Sequence, residues 1–418
     1  MRVLLLGSGG REHTIGWKLA QSADLDLLMS APGNPGLADF GPVMSGFDIN
    51  DPGAVTALAI SNRVDLVVVG PEAPLAAGVV DSLIAARIRT CGPGRAGAQL
   101  ESSKAYAKQV MARAGIPTAP ARTFTDVTAA IDHLAASPGP YVVKADGLAA
   151  GKGVLVTQDL IAAQSWARLC LEGHFGDAGS TVVVEDYLHG PEVSIFVLTD
   201  GVTALPLAPA RDYKRLQDGD DGPNTGGMGT FSPLAGLPAD LVDWTVESVI
   251  HPVLDVLNED SITYRGFIYV GLVLADDGPT VLEFNSRLGD PETQVVLPRL
   301  DDDLLGLLAA TAAGELHGKP LSWLPDAAVD VVIAAEGYPE RPITGRAIHG
   351  IERAAAHPNA LVFHAGTERT ANGIVSRGGR VLNVVGTGPD IASARRAAYD
   401  AVGEIELEGM HYRTDIAK

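Results

Sequence analysis

Short apolar runs alternate with polar, helix-periodic stretches through the first hundred or so residues. Arg2–Leu6, Leu25–Ser30, Val64–Val69 and Ile88–Cys91 read as strands, and a helical pattern runs from the first glycine turn through Gln21. Such alternation predicts a parallel sheet covered by helices. Ala96–Ala114 carries helical periodicity and sets Lys104 and Lys108 one turn apart. Beyond the linker Gly115–Pro120 the pattern predicts a small α/β unit. Its elements are helix Val127–Ala136, strand Tyr141–Lys144, a glycine loop, strand Val154–Val156, helix Leu160–Leu171 and strand Thr181–Glu185. Strands follow at Glu192–Leu198, Phe267–Leu274 and Thr280–Phe284, then a helix at Leu304–Ala313. In the last hundred or so residues, strands at Val329–Ala334, Leu361–His364 and Gly379–Val385 precede a helix at Ile391–Val402, the pattern of an α+β cap.

At 418 residues the chain exceeds what one core usually holds, so roughly two to four domains are expected. Its two cysteines, Cys91 and Cys170, stand far apart without metal-ligand spacing and read as core thiols in a reducing compartment. The apolar start is too short for a signal peptide, and no run approaches the roughly 18 to 20 apolar residues of a membrane span. A cytoplasmic location is expected. The net charge of −20, from 31 basic and 51 acidic residues, leaves no basic stripe for nucleic acid or an anionic membrane. Small phosphorylated ligands stay open, because a local cluster of cations and N–H groups can reverse the sign inside a cleft.

Those clusters exist. Pro223-Asn-Thr-Gly-Gly-Met-Gly-Thr230 has too many glycines for a helix or an ordinary strand and suits close approach of backbone N–H groups to an anion. Arg211-Asp212-Tyr213-Lys214-Arg215 lies just before it. Gly147-Leu-Ala-Ala-Gly-Lys-Gly153 fails as a P-loop, because its spacing is short and strand-forming residues follow; it reads as a flap over phosphates, with Lys144 ahead of it. Gly7-Ser-Gly9-Gly10-Arg11 lacks the third glycine of a dinucleotide fingerprint, and no ribose-binding acid ends the second strand. Nicotinamide is thereby disfavoured, while a helix N-terminus with Arg11 can still hold one phosphate. Glu185 to Leu188 ends a strand in the manner of an adenine slot. Glu283, Asn285 and Arg287 fall at alternate positions and are expected on one strand face, two oxygen ligands for a hard cation beside a cation for phosphate.

With these segments in this order the chain resembles the phosphoribosylamine–glycine ligase (glycinamide ribonucleotide synthetase) family of ATP-grasp enzymes over essentially its whole length. The matching segments are Gly7 to His13, Ala31 to Asn34, Gly70 to Leu75, Lys144 to Gly153, Gly222 to Gly229, Glu283 to Glu292, Gly337 to Pro339, His364 to Thr367 and Gly378 to Val381. The resemblance implies a multidomain α/β and α+β fold. A Rossmann-like parallel α/β domain would span 1–101, an ATP-grasp domain 102–320 with an inserted α+β lid at about 119–188, and a C-terminal α+β cap 321–418. It implies ATP and Mg²⁺ or Mn²⁺ as cofactors, glycine and 5-phosphoribosylamine as substrates, and a monomer, with a dimer left open. By the same resemblance Lys104, Lys144, Gly151, Lys152 and Gly153 hold the ATP phosphates, and Glu185, Tyr187, Leu188 and Glu192 the adenosine. Glu283 and Asn285 carry the metal. Gly9, Gly10, Thr225, Gly226, Gly227, Met228, Asp290 and Pro291 surround the substrates. Arg287, Asp212 and Lys214 act in catalysis, Arg287 on the transferred phosphoryl group. Tyr213, Ser286 and Leu288 depart from common choices in that family. An ATP-grasp ligase with another acyl substrate, or a nucleotide-binding regulator without catalysis, are the competing readings.

Overall fold

The computed structural model describes residues 1–149 and 152–418. The first strands, β1 (Arg2–Gly7), β2 (Leu27–Pro32), β3 (Leu66–Val69) and β4 (Arg89–Cys91), form a parallel sheet in the order β2-β1-β3-β4. Leu4, Leu6 and Val67 face one helical layer, while Val3, Leu5 and Val68 face the rest of the molecule. The runs are apolar on both faces because both faces are covered.

The helix expected over Ala96–Ala114 is two helices, Arg95–Ser102 and Lys104–Ala114. Ser103 between them is extended (φ −140°, ψ 112°); its Oγ accepts from Tyr106 N at 3.1 Å and donates to Asp146 at 3.0 Å. A serine that satisfies a helix-end N–H starts a new helix more readily than it continues one. The break makes Lys104 a first-turn residue.

The inserted unit folds as an antiparallel sheet of β5 (Ala121–Phe124), β6 (Tyr141–Ala145), β7 (Val154–Thr157) and β8 (Val182–Asp186), ordered β5-β8-β6-β7. Its helices Val127–Ala136 and Leu160–Leu169 close a core of its own around Leu134, Val143, Ala163 and Val182. The second helix stops short of Leu171, giving way to a wider turn over Cys170–His174 where Gly173 takes φ 95°.

Next come β9 (Glu192–Thr199), β10 (Ala204–Pro206), β11 (Arg211–Asp212), β12 (Arg215–Gln217), β13 (Asp221–Asn224), β14 (Gly229–Ser232), β15 (Gly266–Ala275) and β16 (Gly278–Asn285). An antiparallel sheet β10-β9-β15-β16 packs Ile195, Val197, Ile268 and Val270 against the helix His251–Glu259. The stretch Pro223–Thr230, expected to avoid strands, is strand at both ends and a turn only over 225–228. Asn224 pairs with Arg215 and Gly229 with Val331, so tertiary pairing recruits residues of low strand propensity. Arg287 does not lie on the strand that carries Glu283 and Asn285. β16 stops at Asn285, and the Ser286 N–H donates to the Glu101 carboxylate at 2.8 Å.

The C-terminal strands include β17 (Ala327–Ala334), β18 (Ile348–His349), β19 (Ala360–His364), β20 (Thr367–Thr370), β21 (Gly373–Ser376) and β22 (Arg380–Gly388). Their main sheet runs β11-β14-β17-β22-β19, so two strands from the middle of the chain complete it. The helix Ile391–Val402 covers one face. On the other, Phe363 meets His13 and Trp17 of the first helix, Gly10–Leu19, with ring centroids 5.3 and 5.8 Å apart.

Candidate active site

One polar cleft opens between the inserted unit and the β10-β9-β15-β16 sheet, enclosing about 240 Å³ of water-sized space. Gly147, Leu148, Ala149 and Gly153 form part of its wall opposite Glu283 and Asn285, which sit at alternate positions near the end of β16. Gly151 lies outside the described residues. Seven carboxylates (Glu72, Glu101, Glu185, Asp212, Glu283, Asp290, Glu292) and five cations (Lys104, Lys108, Lys144, Lys214, Arg287) line it. An anionic polyphosphate alone would leave that surplus of carboxylates uncompensated; a polyphosphate with a divalent cation suits it.

At one end three lysines gather. Lys144 Nζ stands 2.9 Å and Lys108 Nζ 3.5 Å from the same Glu185 oxygen. Lys104 Nζ donates to the carbonyls of Asp146 and Gly147, each at 3.3 Å, at the root of the glycine loop. Burial pulls Lys104 and Lys108 below the ordinary lysine range, against the carboxylates of Glu283 and Glu185. Glu185 is thus held as a lysine partner. Tyr187 and Leu188 follow β8 and do not line the described cavity; Lys152 is exposed.

In the middle stand Glu283 and Asn285. Burial would raise Glu283, but Lys214, Lys144, Lys104 and Arg287 outweigh it and hold the carboxyl below its usual range, ready as an anionic ligand. An ionised carboxylate two positions from an amide is a hard-oxygen donor pair, which leaves the remaining positions of a divalent cation to phosphate and water. Arg287 is fixed by Glu101 at 2.6 Å and Glu72 at 3.3 Å. Burial opposes its charge, yet those carboxylates keep the guanidinium firmly protonated.

At the other end Lys214 is ion-paired with Glu192, which is itself exposed. Burial would lower Lys214, but Asp212, Tyr269, Glu192 and Glu283 hold its ammonium well above the lysine range. Thr225 and Gly226 line the cleft; Gly227 takes φ 107°, and a Cβ there would collide with Pro291. Met228 is fully buried beneath the turn, its N–H on the Tyr213 carbonyl at 2.7 Å. Asp290 meets Arg380 at 3.3 Å, and Arg380 also donates to the Asp290 carbonyl at 2.8 Å. The first helix does not present free groups for a phosphate at Gly9 and Arg11. Gly9 N–H donates to Glu12 at 2.6 Å, and the Arg11 guanidinium is spent on Glu12 and the Leu288 carbonyl. Gly10 is needed for space, since a Cβ would collide with Asn383.

Several cleft groups had no assigned role in the sequence reading: Glu72, Glu101, Lys108, Tyr269, Glu292 and, beside Asp290, Arg380. Glu72 and Glu292 lie within segments already noted, and Lys108 one turn from Lys104; Glu101 and Tyr269 carried no signal. Glu292 is buried over Gly289, accepts from Ser194 Oγ at 3.2 Å, and Ser194 Oγ in turn lies 2.9 Å from Tyr269 Oη. Burial, with Asp212 close by, pushes its carboxyl up to about 7.

A lysine-rich cleft between two antiparallel sheets, with a glycine loop on one and an Glu–x–Asn strand end on the other, defines an ATP-grasp protein. A biotin carboxylase from Campylobacter jejuni shares this fold at TM-score 0.73 and 16% identity, over 98% of this chain and 93% of that one. Profiles described as the N, ATP-grasp (A) and C domains of phosphoribosylglycinamide synthetase match residues 1–101, 102–293 and 328–418. The phosphoribosylamine–glycine ligase of Leifsonia xyli subsp. xyli is 50% identical, covering 100% of this chain and 99% of its own. A crystal structure of phosphoribosylamine–glycine ligase from Thermotoga maritima superposes at TM-score 0.86 with 34% identity, over 99% and 100% of the two chains. The chain belongs to the phosphoribosylglycinamide synthetase family.

Proposed function

We propose that the protein joins glycine to 5-phosphoribosylamine at the expense of ATP, giving glycinamide ribonucleotide, ADP and phosphate, as a cytoplasmic step of purine synthesis. The observation that carries this reading is the full-length similarity to phosphoribosylamine–glycine ligases, together with one cleft that gathers lysines, a hard-cation donor pair and an acid–base group.

A carboxylate resists attack until it has a leaving group, so ATP first phosphorylates the glycine carboxylate to glycyl phosphate. Lys104, Lys144 and Lys108 bind the polyphosphate, and Gly147, Leu148, Ala149 and Gly153 wall it in, limiting water that would hydrolyse the acyl phosphate. Glu283 and Asn285 hold Mg²⁺ or Mn²⁺, which when bound neutralises phosphate charge. Arg287, held rigid by Glu101 and Glu72, faces the phosphoryl group in transfer; a preorganised cation costs no reorganisation during reaction. Thr225, Gly226 and Gly227 shape the acceptor end, while Lys214, Asp212 and Asp290 supply its charges. The amine of phosphoribosylamine then attacks the glycyl carbonyl. A C–N bond forms, the C–O bond to phosphate breaks, and one amine proton must leave. Glu292 takes that proton, and Ser194 and Tyr269 orient it. The domain limits 1–101, 102–320 and 321–418, and a monomer, complete the reading.

The test is ADP release with Mg-ATP, glycine and phosphoribosylamine generated in place from ribose 5-phosphate and ammonia, omitting each in turn. Turnover that requires all three, and falls sharply when alanine replaces glycine, is the expected result. ATP turnover indifferent to glycine sinks the substrate assignment.

A further inference from the structure

Behind the acceptor end of the cleft lies a set of buried polar groups that the reaction does not use. Asp330 on β17 is fully buried, and neither carboxylate oxygen has a hydrogen-bond partner among the described residues. The same holds for Thr230 Oγ1, Gln294 Oε1 and both terminal atoms of the Asn383 amide, on side chains at most 1% exposed. These groups are neighbours. Thr230 on β14 is the register partner of Asp330; Asn383 on β22 stands two residues from Val385, the partner of Asp330 on the other side. Residues directly opposite, or two apart along a strand, share one face. Gln294, on the short helix Thr293–Val296, packs against that face. A Cβ on Gly10 would collide with Asn383 Nδ2 and stand 2.7 Å from Gln294 Nε2, so the two amides meet at Gly10. Gln294 Nε2 donates to Asp290 at 3.0 Å, which leaves its Oε1 to look elsewhere.

Buried polar groups normally find partners, and an unpartnered buried charge is costly. Here five oxygens (two of Asp330 and one each of Thr230, Gln294 and Asn383) have only the two N–H protons of the Asn383 amide and one hydroxyl proton among them. One enclosed water would add two protons, enough for one bond to each oxygen, but no charge to balance an ionised Asp330. A cation satisfies all the oxygens together. The charge count selects its class: one carboxylate among neutral hard oxygens balances a single positive charge, and the adjoining Asp290 is already matched by Arg380. Burial, with Asp290 near and Arg380 opposing, pushes Asp330 well above the usual carboxylate range, so an empty site would hold a neutral acid.

We infer that Asp330, Thr230, Gln294 and Asn383 form a binding site for a monovalent alkali cation, K⁺ or Na⁺, where the three parts of the chain meet. The site lies outside the cleft lining and is linked to it by the Gln294–Asp290 hydrogen bond.

The experiment measures thermal unfolding of the full chain in K⁺, Na⁺, Li⁺ or tetramethylammonium chloride at constant ionic strength. The expected result is a saturable rise of the midpoint with K⁺ or Na⁺ relative to tetramethylammonium. In Asp330→Asn, which keeps the shape but removes the charge, half-saturation should move up about tenfold or the shift vanish. Thr230→Val, a milder change, should weaken the shift, and a crystal soaked in Tl⁺ should show anomalous density between Asp330 and Asn383. Equal midpoints in all four salts, or a cation-specific shift that Asp330→Asn retains unchanged, would overturn the inference.

Discussion

The two walls of the cleft are built on different mechanical terms. Lys144, Glu185 and the glycine loop ride on the inserted unit, which has its own core around Leu134, Val143, Ala163 and Val182. That unit joins the rest through 115–120 and 187–191. Glu283, Asn285 and Tyr269 sit on β15 and β16, whose core also takes in Ile195, Val197 and the helix His251–Glu259. A unit with a private core can move as a body at little internal cost, whereas a strand inside a larger core cannot. The division suits a reaction in which cations on the moving wall must be brought to ligands on the fixed one.

The sharpest way to break that comparison is at the fixed wall. Glu283→Gln keeps the shape but removes the anionic ligand, and should cut turnover by about a thousandfold or more at millimolar Mg²⁺, with the unfolding midpoint little changed; unchanged ADP release would remove the metal assignment. On the moving wall, Lys144→Ala should lower kcat/KM for ATP by about a hundredfold. It should also destabilise the protein by about 2 kcal/mol in urea, because Glu185 loses its nearer partner while buried. A full loss in kcat/KM without any stability change would mean that the Lys144–Glu185 pair is absent from the resting state.

Next is Glu292. Around it stand Asp212 and Lys214 from β11 and its turn, Ser194 from β9, Tyr269 from β15, and Arg287. With its carboxyl at about 7, the anionic base is lost as pH falls, so kcat should decline below about pH 7, and Glu292→Gln should be slow with that limb gone. Stability runs the other way: a raised carboxyl favours the folded state at low pH and that gain is lost as pH rises through about 7, so Glu292→Gln should be the more stable form at pH 8 and lose that advantage towards pH 5. An acid limb that persists in Glu292→Gln assigns the proton to another group. Gly227→Ala, strained at φ 107° and pressed on Pro291, should cost about 1–3 kcal/mol and raise KM for phosphoribosylamine more than for ATP. The smallest effect belongs to exposed Lys152, where alanine should raise KM for ATP by about two- to fivefold with kcat kept, as expected of a solvated cation at the rim of the cleft.

Much of the architecture was legible because local pattern and tertiary environment agree. The helices Val127–Ala136, Leu304–Ala313 and Ile391–Val402 have the limits their periodicity predicts, each opened by an aspartate that caps it. Disagreements arise where a distant group competes. Ser103 breaks a helix because Asp146 is there to bond it, and β16 ends before Arg287 because Glu101 takes the Ser286 N–H. In the cleft, dense motifs pointed to Lys144, Asp212, Lys214 and Glu283. Glu101 and Tyr269 sit in ordinary helix and strand surroundings, and only folding gives them a role. Asp330 was hidden most completely, as a single acid within an apolar strand.

The sheet that joins β11 and β14 to β17 has a further consequence for how this chain can be divided. A fragment ending before residue 327 would leave β14 without the neighbour that pairs Gly229 through Ser232, and an open edge of that kind recruits other chains. Conversely, residues 328–418 alone would leave β17 paired with β22 but open along the edge that β14 covers. The three family profiles therefore mark stretches of shared ancestry whose borders are poor places to cut, and recombining halves from different relatives would require exchanging residues 211–232 together with the C-terminal segment.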